Sequence, residues 1–213
     1  MSQPHRRTRL IAIALGALAM SACTSTYTGP VEVTRFVSEQ PAALGQGTIA
    51  LTVPEEVRNE RARAAFREAV GSELIKLGYT LSGTTEGGQE AIIRTRRAQI
   101  SSDDPRSPVS VGVGGSTGSY GSGVGLGIGI NLGGGRSGPN VVTELEVRIS
   151  DASGQSLWEG RAQIPTSVKS PYSDVDVSAR TLASALFQDF PGGNGETVII
   201  EVEDLNLEAQ GSE

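Results

Sequence analysis

Residues 141–150 read VVTELEVRIS, 151–154 read DASG and 156–164 read SLWEGRAQI. Val142, Leu145, Val147 and Ile149 are the apolar side chains of the first run, which reads as a strand. Asp151 to Gly154 is a tight turn, because a short Asx side chain and a residue without Cβ both suit a sharp reversal. The second run then returns as the partner strand of a hairpin. Trp158 is the only tryptophan of the chain, and its large ring assigns it to the core.

Downstream of the hairpin, Ser173 and Asp176 stand at capping-box spacing, with Asp in place of the usual Glu or Gln. Ala179, Leu182, Ala183, Leu186, Phe187 and Phe190 then recur at threes and ones, an amphipathic helical stripe. Pro191-Gly192-Gly193 stops that helix. Thr197 to Val202 reads as a last strand. From Thr181 onward there are seven acids and no base, so residues 203–213 read as a solvated acidic tail.

Upstream, Val31, Val33, Phe36 and Val37 mark a first strand, and residues 48–53, TIALTV, a second. Pro54-Glu55-Glu56 opens a helix, since proline suits a first turn and acids there complement the helix dipole. Val57, Ala62, Ala65, Phe66, Ala69, Val70, Leu74 and Leu77 form its apolar face. Arg58, Arg61, Arg63, Arg67 and Lys76, interleaved with Glu60, Glu68 and Glu73, form either a basic groove or a solvated face with local ion pairs. Gly78 ends the helix and Tyr79 begins the next strand. Residues 91–100 form another strand, where Arg94, Arg96 and Arg97 either hold an anion or simply face solvent.

Residues 109–135 read VSVGVGGSTGSYGSGVGLGIGINLGGG, and no charge occurs from Ser107 to Gly135. Gly133 to Gly138 fits G-x-G-x-x-G, but Pro139 and a strand follow, so no helix N-terminus stands ready for a phosphate. Val124, Leu126, Ile128 and Ile130 alternate with glycine, which gives a hairpin with one branched and one bare face. Val124 to Leu132 is also near the length of a membrane-barrel strand, and a lone hairpin in lipid would need a ring of chains to satisfy its edges.

The first 22 residues have the order of an export signal. Arg6, Arg7 and Arg9 precede an uncharged run over 10–20, and Ser21 and Ala22 lead to Cys23. That run is too short in helical form to cross the hydrocarbon layer. Met20-Ser21-Ala22-Cys23 resembles the lipobox of bacterial lipoproteins. The resemblance implies that Cys23 takes a diacylglyceryl group and becomes the acylated first residue, with 23–30 as a tether. Two or three acyl chains anchor a protein stably without a spanning helix. Thr24, not Asp, follows the cysteine, and the resemblance to sorted lipoproteins then implies the periplasmic face of the outer membrane.

The 213 residues fit one domain of ordinary size. Cys23 is the only cysteine and His5 the only histidine, both in or beside the leader. A mature chain starting at Cys23 has no histidine, which excludes Ser-His and Cys-His catalysis and histidine metal sites. Asp103-Asp104 and Asp174/Asp176 are the close acid pairs, and both read as turn and cap residues. We therefore expect no catalytic, cofactor or metal site. Removing the leader takes away three of 18 bases and none of 24 acids, which leaves a net charge of −9. So acidic a chain is not expected to bind nucleic acid.

Residues 74–79, LIKLGY, the turn Asp151 to Gly154, Leu157-Trp158-Glu159-Gly160 and Phe190-Pro191 stand in an order that resembles the bacterial lipoprotein family with domain of unknown function 4136. The resemblance covers about residues 23–191. It implies a small α/β envelope lipoprotein and supplies no catalytic residue. The expected fold is α+β: a mainly antiparallel sheet with two amphipathic helices on one face, plus a glycine-rich hairpin or loop within 107–138. One domain spans 31–202. The expected role is non-enzymatic binding or assembly in the envelope. The membrane is the partner through lipid on Cys23, with an envelope protein or self-association beside it. The alternative is an oligomeric pore or secretion component that inserts the glycine-rich hairpin.

Overall fold

A computed structural model of the chain describes residues 26–39, 44–85, 88–99 and 141–205. Among them, seven strands form one sheet: β1 (Val31–Val37), β2 (Thr48–Thr52), β3 (Thr80–Ser82), β4 (Gln89–Gln99), β5 (Val141–Ser150), β6 (Ser156–Thr166) and β7 (Thr197–Ile200). Their spatial order is β3-β2-β4-β5-β6-β1-β7. β2 runs parallel to β3 and β4, and the other pairs are antiparallel. Two helices, α1 (Glu60–Lys76) and α2 (Val175–Phe187), complete the α+β fold, with a 3-10 turn over Pro171–Ser173 and a short helical turn over 202–205. The parallel section follows from connectivity: α1 carries the chain back after β2, so β3 re-enters beside β2 in the same direction.

The central hairpin forms as the sequence reads. Asp151 Oδ1 accepts from Ser153 N at 2.8 Å and from Gln155 N at 3.0 Å, an Asx arrangement that fixes the reversal. Alternation does the rest. Leu145, Val147, Ile149, Trp158, Ala162 and Ile164 are buried and join Phe66, Val70, Leu74, Leu182 and Leu186 from the helices in one core. The helices also pack against each other, α1 reaching β2, β3 and β4 while α2 reaches β1, β5 and β6.

Both helix starts and the end of α2 depart from the expectation, while Gly78 ends α1 as expected. Helix α1 does not open at Pro54, which closes a turn with Val57 (N to O, 3.2 Å). Its N-cap is Asn59, whose Oδ1 accepts from Ala62 N at 3.0 Å and so satisfies a free first-turn donor. Its C-terminus is a Schellman motif: Tyr79 N donates to Leu74 O and Gly78 N to Ile75 O, each at 3.0 Å. Gly78 has φ +103°, and a Cβ there would lie 2.7 Å from Gly45 O, so the reversal needs glycine.

Helix α2 is capped by Asp174 rather than Ser173, because the Asp174 carboxylate reaches both Asp176 N (2.9 Å) and Val177 N (3.3 Å). The helix ends at Phe187, and Phe190 lies beyond it, after Asp189 at φ +54°. The last strand stops at Ile200, and Val202 belongs to the helical turn that follows. Leu205 is 5% exposed within the core, so packing continues past residue 202 into the stretch expected to be a solvated tail. Tyr27 to Gly29, expected in the tether, dock on the sheet: Ser167 N donates to Tyr27 O, and Gly29 N to Pro165 O, each at 2.9 Å. The expected leader over 1–22 with Cys23, the acids Asp103-Asp104 and the glycine-rich stretch lie outside the described residues.

Candidate functional site

Four groupings of side chains bear on function. The first is the quartet of short motifs. Trp158 is 1% exposed. Its ring stacks on Phe187 at 5.4 Å and tilts against Phe190 at 5.3 Å, while Nε1 donates to Pro191 O at 2.9 Å. A Cβ at Gly160 would come within 2.7 Å of Trp158 Cζ2 and 2.8 Å of Leu186 Cδ1. Trp158-Glu159-Gly160 and Phe190-Pro191 therefore meet as one packing unit, with the tryptophan N–H satisfied. Residues 74–79 are the helix stop and Asp151 to Gly154 the hairpin turn. All four motifs have structural work.

The second grouping was hidden in the sequence. Arg35 lies on the core side of β1, in step with Val31 and Val33, and is only 5% exposed. Its Nε donates to Leu186 O and its Nη2 to Ala185 O, both at 2.9 Å. It thus satisfies two of the carbonyls that α2 leaves free, at the negative end of the helix dipole. Burial pulls its guanidinium below the ordinary arginine value, and nearby Asp189 acts in the opposite sense. A charged residue at a core position of an alternating strand is the signal that could have found it.

The third grouping is charged. On the residues of β4, β5 and β6 that alternate with the core, Arg94 pairs with Glu146 (3.2 Å) and Arg96 with Glu144 (3.1 Å). Arg161 pairs with the same Glu144, and Arg148 with Glu159 (3.3 Å). Arg94 and Arg96 are thus brought onto the chain's own glutamates in a cross-strand ladder, while Arg97, on the opposite face of β4, is held by the Ser173 carbonyl. Arg61, from the basic stretch of α1, reaches across to both Asp174 and Asp176. The acid pair is held as a helix cap and an interhelical tie. Backbone N–H groups, of Val177 first and then Asp176, hold the Asp174 carboxyl below its ordinary value, and Arg61 adds to this.

The fourth is a concavity. A groove of about 530 Å³ runs between the outward flanks of α1 and α2. Ala65, Ala69, Tyr172 and Val177 give it apolar walls, and Glu68, Glu73, Lys76 and Arg180 line it with charge of both signs. Among the described residues no three His, Cys, Asp or Glu side chains gather as metal ligands, and no helix is long and apolar enough to cross a membrane.

No family model matches the chain, and no curated protein matches it. Solved structures do. A PDZ domain protein from Parabacteroides distasonis superposes with a TM-score of 0.50 at 17% identity, over 86% of this chain and 41% of that one. The chain therefore spans about two fifths of that protein's length, and the likeness is one of fold alone. The PelC dodecamer from Paraburkholderia phytofirmans matches with a TM-score of 0.36 at 10% identity, over 72% of this chain and 91% of that one. At that distance it carries no argument.

Proposed function

We propose that the protein is a lipoprotein, acylated at Cys23, held on the periplasmic face of the outer membrane, with a non-enzymatic binding or assembly role in the envelope and with its two helices forming one layer on one face of the sheet. The observation that carries the anchor is the order of basic residues, short apolar run, small residues and cysteine over 1–23. The non-enzymatic role is supported by the fate of the conspicuous polar residues. Asp174 and Asp176 are tied to Arg61, and the β4 arginines are tied to glutamates or a carbonyl. The four motifs of the family resemblance act in packing and turns. The helix layer is supported by the shared core and by the charged ladder on the alternate positions of the sheet.

The test is the intact mass of protein purified from a bacterial membrane, beside Cys23→Ser. Residues 23–213 plus two or three acyl chains is the expected mass. A cleaved product without lipid would make this a free periplasmic protein and overturn the anchor.

A second reading, an oligomeric pore or secretion component, is favoured by the β4–β5 register. Gln99 stands opposite Val141 at the end of an unbroken antiparallel ladder, which is where a long hairpin would start. This reading expects detergent-stable oligomers, and a strictly monomeric Cys23→Ser protein would overturn it.

A further inference from the structure

The register of the sheet determines which residues share each of its two ends. The chain enters the fold at Tyr27 and Thr28. Thr28 bridges to Thr166 at the end of β6, Thr166 pairs with Val141 at the start of β5, and Val141 pairs with Gln99 at the end of β4. These residues therefore share one end of the sheet. The DASG turn between β5 and β6 marks the opposite end, about 30 Å away at roughly 3.3 Å per residue along β5.

We propose that the end built by Thr28, Gln99, Val141 and Thr166 is the protein's membrane-facing surface and that its partner is the lipid bilayer; the inference rests on the acylation of Cys23 proposed above. The tether makes the argument. Tyr27 O is already hydrogen-bonded to Ser167 N, so only four residue steps separate the lipid-bearing residue from a fixed point, a reach of about 14 Å at most. That is half the length of the sheet, too short to let the far end approach the bilayer in its place. The surface has the chemistry of a lipid interface: Val168 is 54% exposed, and Lys169 beside it is exposed, an apolar contact next to a cation that can meet phosphate headgroups.

The test uses the acylated full-length protein with one added cysteine, at Val168→Cys or Ala152→Cys, each at an exposed position. The acylated Cys23 sulfur does not react, so a thiol fluorophore labels the added site alone. In vesicles of phosphatidylethanolamine and phosphatidylglycerol carrying a spin-labelled lipid, quenching is expected to be several-fold stronger at residue 168 than at residue 152. Equal quenching, or stronger quenching at 152, on protein whose intact mass shows acylation overturns the orientation alone. A mass without lipid overturns the anchor, and the orientation with it.

Discussion

Single residues in this fold do unusually specific work around Trp158. Its indole fills the space that Gly160 leaves, and Trp158→Ala is expected to cost about 3–5 kcal/mol through the cavity it creates. Gly160→Ala should cost about 1–3 kcal/mol for the opposite reason, since a methyl is forced against the ring and Leu186. Urea denaturation of the two variants checks both signs of packing error. Arg35 is the other such residue. Arg35→Met keeps the length of the side chain but leaves the carbonyls of Ala185 and Leu186 without their donor, and about 2 kcal/mol of destabilisation is expected. If the same assay showed no loss, the guanidinium would not be what closes α2. Trp158 was legible as a core residue because it is large and single. Arg35 was not, because its partners lie some 150 positions away.

The elements are shaped by their ends. Helix α1 is stopped by Gly78, and Gly78→Ala should lose more than about 1 kcal/mol, since alanine resists positive φ and its Cβ would press on Gly45 O. The start of α2 is expected to respond to acid. Asp174 is held below the ordinary carboxyl value by the backbone N–H groups of Val177 and Asp176, and Asp151 by Ser153 first and then Gln155 N. A depressed folded value means that the stabilisation is complete above the unfolded value near 3.9 and is lost as pH falls through the lower folded value. The melting temperature should therefore fall as the pH drops below about 4. Asp174→Asn should flatten part of that fall, because Asn still caps the helix and does not titrate. Identical acid slopes in circular-dichroism melts of the two proteins would contradict the assignment. Helix existence was legible from the spacing of Phe66, Ala69, Val70 and Leu74 and of Ala179, Leu182, Ala183 and Leu186. The starts were misread because several acids and prolines compete as caps, and only the geometry of Asn59 and Asp174 decides among them.

At the scale of the whole molecule, the sheet is closed by elements from both ends of the chain. β1 sits between β6 and β7, and Val202 and Leu205 complete the core beyond β7. Ending the chain after residue 201 removes both side chains, and at roughly 1.5 kcal/mol or more for each buried aliphatic group it should cost at least about 3 kcal/mol. Ending it after residue 205 keeps them and should give the higher unfolding midpoint of the two. Equal midpoints for the two truncations would show that the last turn adds nothing to the core.

The sequence by itself determined the local pieces. Alternation over 141–164, a turn signal at Asp151 to Gly154 and two amphipathic stripes are properties of neighbouring residues, and neighbours set backbone periodicity and turn chemistry. Those pieces were enough for an α+β fold with a mainly antiparallel sheet. Only the tertiary structure decided that β1 lies between β6 and β7, that β2 and β3 are parallel, and that Arg35 closes α2. It alone joined Trp158, Gly160, Phe187 and Pro191 into one unit, and it alone brought Thr28, Thr166, Val141 and Gln99 to one end of the sheet. Those pairings join residues far apart in the chain. They are chosen by how well distant surfaces pack and exchange hydrogen bonds, which no short window of sequence contains.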